Sequence, residues 1–165
     1  MTTFTIANQA DLNAAIAAVS SRAATDVFNF TAGFTLTAAL APLVLHAGEN
    51  LTINGNNWTI DGNHTYGGLF LAPVSGAANS VTVAINDLHV NNTKQQGGAG
   101  GTNGYAGGGG AGLGGGLFIG AGANVTLTDV TFIGDWAIGG KGGDYNSSNN
   151  NTFNSAGGPR RRRRS

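Results

Sequence analysis

The chain has 165 residues, with Gly at 29 positions, no cysteine, 41% hydrophobic residues and only 10% charged ones. That length allows at most one domain with a real core, the apolar fraction excludes a wholly disordered chain, and the lack of a Gly-X-Y period excludes collagen. The formal net charge of zero is unevenly spread: Arg160 to Arg164 supply five of the eight basic residues, so the body carries 3 − 8 = −5, which gives no support to nucleic-acid binding.

Without cysteine, neither a disulfide framework nor a Cys-based zinc site can form. No run approaches the ~18 apolar residues of a membrane span. Met1-Thr2-Thr3-Phe4 lacks the basic start and apolar core of a signal peptide, so an export signal, if the parent protein is exported, is expected upstream.

Taken in order, Thr3-Phe4-Thr5-Ile6 reads as a short strand. Asn8 then caps a helix over residues 8–22, with Asp11 at the third position and Leu12, Ile16 and Val19 on one face. Short alternating stretches follow as candidate strands: Asp26 to Phe30, Phe34 to Leu36, Leu43 to Leu45, Leu51 to Ile53, Trp58 to Ile60 and Leu69 to Leu71. Asn54-Gly55 and Asp61-Gly62 read as turns between them.

One unit recurs. Gly115-Gly116-Leu117-Phe118-Ile119 repeats Gly67-Gly68-Leu69-Phe70-Leu71. The stretch Val125 to Gly134 carries a copy of the stretch Val81 to Val90, with Asp129 in the place of Asp87. A shorter copy runs from Leu51 to Gly62. Recurring Thr-rich strands that cannot each bury their apolar face alone point to stacking on neighbouring copies.

Residues 94–116 are more than half Gly, and a related Gly/Asn/Ser-rich stretch runs from Gly139 to Gly158. Both are expected to be long loops leaving one side of the stack, mobile unless they pack on each other. The Arg160–Arg164 run that ends the chain matches nothing before it. It reads as the mark of a truncated or frameshifted longer gene, with 141–165 expected to be disordered.

On these copies the chain resembles the pectin-lyase-like right-handed parallel β-helices, most closely the Gly-rich passenger regions of bacterial autotransporters and other surface adhesins. The resemblance covers residues 3–140. It implies an all-β fold: a right-handed parallel β-helix, a solenoid of about four to five rungs, closed by the helix at 8–22 and carrying the Gly-rich loops. The fold expected from it spans 1–140, with 141–165 as loop and tail.

Chemistry is harder to find. Asp61, Asp87 and Asp129 each follow an alternating strand, where paired carboxylates would serve acid/base work or calcium. Asp at such turns is more simply explained by side-chain bonds to backbone amides and tolerance of left-handed φ. The enzymes of the resembled superfamily bring a cation to an acidic sugar, and here Arg22 lies on the cap helix while Lys94 and Lys141 lie in Gly-rich stretches. None of their catalytic motifs carries over.

His46, His64 and His89 show no metal-ligand spacing. Trp58, Trp136, Tyr66 and Tyr105 form a sugar-stacking platform only if the fold gathers them. The GxGxxG matches at Gly107, Gly109 and Gly112 lack a βαβ context, and Gly139 to Asp144 is a lone start of a calcium-binding nonapeptide.

The expectation is therefore a fragment of a secreted or cell-surface passenger or adhesin-like protein, extracellular or on an outer-membrane surface, without catalytic, cofactor or metal residues. Its expected partners are glycans or matrix components. The alternative is a polysaccharide lyase or hydrolase whose active site lies in rungs outside this chain.

Overall fold

The structure is a computed structural model and describes residues 1–75, 80–101 and 107–143. These divide into two compact units, the first of residues 1–75, 80–95 and 113–137, the second of residues 96–101, 107–112 and 138–143.

In the first unit, strand β1 (Thr2–Ile6) leads to helix α1 (Gln9–Val19), then β2 (Thr25–Phe30), β3 (Phe34–Thr35) and β4 (Leu43–Leu45). β5 (Asn50–Asp61), β6 (Leu69–Pro73) and β7 (Val81–Asn91) follow, and after β8 (Lys94–Gln96) come β9 (Leu117–Ile119), β10 (Ala123–Thr128), β11 (Thr131–Ile133) and β12 (Trp136–Ile138). Seven strands form one sheet in the order β1-β2-β5-β7-β10, with β3 on β5 and β11 on β7. β4-β6-β9 form a second sheet and β8-β12 a third. Every ladder of the first two sheets is parallel.

The alternating residues explain the register. Phe4, Phe28, Ile53, Ile85 and Leu127 are successive ladder partners, as are Leu51, Val83 and Val125. Each column is a line of apolar side chains on the inward face, about 4.8 Å apart. Phe28, Ile53, Leu43, Leu45 and Leu71 are buried in one core that also takes Leu12, Ala15, Ile16 and Val19 of α1. Each such side chain contributes roughly 1.5–3 kcal/mol on burial. Phe70 and Phe118, ladder partners on the second sheet, stack with centroids 4.4 Å apart.

Helix α1 begins after the expected cap at Asn8 and ends at Val19, three residues short of the expected 22, so that Arg22 lies outside it. The Asn8 side chain accepts from the Asp11 amide at 3.0 Å, and the Asp11 carboxylate accepts from the Ala7 amide at 3.0 Å. This is a reciprocal cap that satisfies two otherwise bare donors. Gln9 then ties the helix to the loop before β4, accepting from the Thr37 amide at 2.8 Å and donating to the Ala38 carbonyl at 2.8 Å.

The expectation of an all-β right-handed β-helix of about four to five rungs needs correction. The described residues are 46% strand and 8% helix, a mostly-β chain whose single described helix is part of the core. The strands group into sheets of seven, three and two members. Alternation reports which face is inward and recurrence reports which strands are neighbours. Neither dictates how the sheets are joined.

In their described residues the Gly-rich stretches pack on each other through backbone hydrogen bonds. In the second unit, three segments hydrogen-bond in a ring. The Gly97 and Gly100 amides donate to the Ile138 and Lys141 carbonyls at 2.9 and 2.8 Å. Gly140 and Gly143 donate to Gly110 and Gly107 at 2.7 and 2.8 Å, and Gly110 and Gly107 donate to Gly98 and Gly101 at 2.8 and 3.4 Å. The bonds recur every third residue, the repeat of an extended polyproline-II-type helix. A Cβ at Gly97, Gly100, Gly109, Gly112, Gly140 or Gly143 would run into the backbone of the neighbouring segment, whereas at Gly98, Gly101, Gly108 and Gly142 it would meet nothing. Glycine at the inward third positions is thus required by close approach, as at a collagen axis. The sequence expectation for 144–165, including Arg160 to Arg164, falls outside the described residues.

Two consequences are measurable. Gly100→Ala and Gly140→Ala are expected to weaken the Gly-rich unit by about 1–3 kcal/mol. Gly98→Ala and Gly142→Ala, at positions without a left-handed φ, are expected to be neutral or stabilising by about 0.4–1 kcal/mol. Amide hydrogen exchange at Gly100, Gly140 and Gly143 reads both. In the first unit, Ile53→Ala is expected to cost about 2–5 kcal/mol in denaturant unfolding, and Leu127→Ala in the same column much less, because Leu127 is already 42% exposed.

Candidate binding face

The residues that alternate with the core columns make the other face of the seven-stranded sheet. Thr3, Val27, Thr52, Ala84 and Thr126 are successive partners, and so are Thr5, Asn29, Asn54, Asn86 and Thr128. Beyond a bend, Thr59, His89 and Thr131 form a further row. The rows carry hydroxyls, amides, methyls and one imidazole. Their spacing is set by the backbone at about 4.8 Å across strands and about 6.7 Å along them.

Neighbouring side chains fix one another. Asn86 Nδ2 donates to Asn54 Oδ1 at 3.2 Å, and Asn56 donates to Asn29 Oδ1 at 3.1 Å and to the Phe30 carbonyl at 2.8 Å. His89 Nδ1 meets Thr131 Oγ1. Each such pair contributes modestly, about 0.2–1 kcal/mol, but it removes rotamer freedom before any ligand arrives.

The bends are built from residues in the left-handed region. Asn56, Asn57, Asp87 and Asp129 have φ of 51°, 61°, 50° and 51°, and a second set, Asn63, His64, Asn92 and Gly134, has φ of 54°, 52°, 53° and 70°. Asn and Asp tolerate this conformation far better than bulkier residues. Gly55, in the bulge that interrupts the β5-β7 ladder between Asn54 and Trp58, lies so close to the Asp87 carbonyl and Leu88 Cα that no side chain fits.

The carboxylates singled out in the sequence separate accordingly. Asp87 and Asp129 occupy equivalent bends. Asp61 accepts from the Asn63 amide at 2.7 Å and from the Asn92 side chain at 2.9 Å, so it closes its own corner. Asp135, which drew no notice in the sequence, takes the Thr93 amide and hydroxyl at 2.8 and 2.7 Å.

The histidines are scattered. His46 Nε2 meets the Ser20 carbonyl at 3.1 Å, and His64 lies in a bend. Among the described residues no group of three His, Asp or Glu side chains is placed to hold a metal. Trp58 and Trp136 are 43% and 60% exposed, and Tyr105 lies outside the described residues. Gly107, Gly109 and Gly112 belong to the hydrogen-bonded Gly-rich unit.

Buried charge lies elsewhere, at the start of β2. Asp26 is fully buried, with Arg22 Nη2 on its Oδ1 at 3.0 Å and the Thr2 amide at 3.2 Å. Glu49 is also fully buried, and its Oε2 accepts from the His46 amide at 2.8 Å. Burial pushes the Glu49 carboxyl above the usual range, against the opposing pull of the His46 amide. Parity is the signal that gives Asp26 away: in Asp26-Val27-Phe28-Asn29-Phe30 it shares the inward side with both phenylalanines.

Comparison of the chain with protein-family models, with curated proteins and with solved structures finds no match. The reading of this face therefore rests on its own chemistry: a rigid, regularly spaced, uncharged array of hydrogen-bonding groups.

If Asp87 is in place for its backbone conformation, Asp87→Ala costs about 1–2 kcal/mol and Asp87→Gly is close to neutral. Urea unfolding of the two variants measures the difference.

Proposed function

We propose that this chain is part of a secreted or cell-surface protein, with a non-catalytic, adhesin-like role in which the outward Thr/Asn face engages neutral polysaccharide. The observation that carries the reading is the pair of outward rows through Thr52-Ala84-Thr126 and Asn54-Asn86-Thr128, uncharged and fixed in register. A polyhydroxylated chain offers donors and acceptors along its length, and a preorganised array pays little ordering entropy to meet them. A charged partner would find no counterpart in these rows.

The resemblance of the Gly-Gly-Leu-Phe and Val-Thr-Leu-Thr copies to the passenger regions of surface adhesins supports the same direction. Catalysis draws no support from the one described carboxyl with a raised pKa, Glu49, because it is sealed in the interior.

The test is binding of the purified chain to an array of neutral and acidic polysaccharides, with Ala84→Glu as the probe variant. Ala84 sits at the centre of the outward rows and outside the core. Retention of the wild-type chain by a neutral polysaccharide, reduced about tenfold or more in Ala84→Glu at unchanged melting temperature, is the expected outcome; a tenfold loss corresponds to about 1.4 kcal/mol. Binding only to acidic polymers, or equal binding by the variant, would refute the assignment to this face.

A further inference from the structure

Asp26 and Glu49 are both at 0% exposure, and each has one oxygen with no partner among the described residues: Asp26 Oδ2 and Glu49 Oε1. Their positions are related by the ladder. Asp26 lies opposite Leu51 in the parallel β2-β5 pairing, and Thr25 opposite Asn50. The ladder continues one residue before β5, since the Asn50 amide donates to the Ala24 carbonyl at 3.1 Å and the Thr82 amide to the Glu49 carbonyl at 2.9 Å. Glu49 therefore falls on the same inward face as Leu51, diagonally adjacent to Asp26, within the reach of a long side chain.

The two carboxyls are unequally supplied. Asp26 Oδ1 has two donors, the Arg22 guanidinium and the Thr2 amide. Glu49 has one backbone donor, the His46 amide on Oε2. The charged and titratable groups acting on Glu49 are His46 in its own turn, Asp26 on β2, and Arg22 in the link from α1. The His46 ring is engaged with the Ser20 carbonyl. Two carboxylates on one dry face do not both ionise at low cost, and the less supported one takes the proton. A proton on Glu49 must sit on Oε1, because Oε2 already accepts, and Asp26 Oδ2 is the acceptor left bare.

We propose that Glu49 folds in its protonated form and shares its Oε1 proton with Asp26 Oδ2, directly or through one buried water, forming a pH-released latch that holds the 46–49 turn to β2. The balance is simple: the proton is the one Glu49 already carries, and no bond other than the hydrogen bond forms or breaks. The upward displacement of the Glu49 carboxyl by burial agrees with this. The sign follows. A folded value raised above the unfolded one gives stability that is fully present below the unfolded value and is lost as pH rises through the folded one. Raising the pH through the folded value ionises Glu49, brings its negative charge onto the face it shares with Asp26 and releases the turn.

The test compares the full chain with Glu49→Gln, in which the Gln amide donates permanently to Asp26 while its oxygen still accepts from His46. Infrared spectra recorded below the pH at which the turn opens are expected to show a protonated-carboxyl C=O band that Glu49→Gln lacks. Protection of the His46 amide against exchange, corrected for intrinsic rate, is expected to fall with rising pH at up to tenfold per unit in the wild type and to stay flat in Glu49→Gln. Asp26→Asn, which supplies a donor to Glu49, is expected to abolish the band. Three results would overturn the latch: no such band in the wild type, the same pH slope in Glu49→Gln, or a Glu49→Gln chain less stable than wild type above the pH at which the wild-type turn opens.

Discussion

Parallel ladder register is the constraint on which the first unit depends. Once Asp26 faces Leu51 and Leu51 faces Val83, every inward residue of β2, β5, β7 and β10 is assigned to a column, and every outward residue to a row. A slip of one residue on any strand would turn Phe28 or Ile53 to water and Asn29 or Asn54 into the core. The same geometry that hides the apolar set therefore fixes the spacing of the polar one. The proposed binding face is the reverse side of the core.

The bends protect that register. Asn56, Asp87 and Asp129 turn the chain at equivalent places through left-handed φ, so consecutive strands bend together and stay paired on both sides of the corner. Side-chain carboxylates elsewhere do similar local duty: Asp61 gathers Asn63 and Asn92, and Asp135 gathers Thr93. Acidic residues in this unit are mostly spent on holding backbone corners. The buried pair at Asp26 and Glu49 differs because two fully buried carboxyls lie on one inward face, each with an oxygen that no described donor satisfies.

Much of the first unit could be read from residues alone. Asn8 and Asp11 announce the helix, the Val-Thr-Leu-Thr alternation announces strands and their inward faces, and the Gly-Gly-Leu-Phe copies announce which strands correspond. The candidate face was legible to the same extent, since the Thr and Asn residues are the alternate partners of the core. The joining of strands into sheets of unequal size was not legible, because it depends on corners whose direction the hydrophobic pattern does not encode. Strands β8 and β12 were missed as well: Lys94-Gln95-Gln96 and Trp136-Ala137-Ile138 are too short to alternate visibly. In the Gly-rich stretches the three-residue spacing of required glycines is hidden by further glycines at the outward positions, where nothing compels them.

The Gly-rich unit also obeys a different thermal logic from the rest. Its described segments are joined by backbone hydrogen bonds between glycines and have almost no apolar side chains to bury. Unfolding it therefore exposes mainly peptide groups, whose hydration lowers the heat capacity, whereas opening the first unit exposes Phe, Leu, Ile and Val and raises it. The hydrophobic contribution to the first unit fades on cooling, and hydrogen bonds among glycines carry no such weakness. Within one chain, the two units thus have stability curves of opposite character at low temperature: one loses its driving force toward the cold, and the other keeps it.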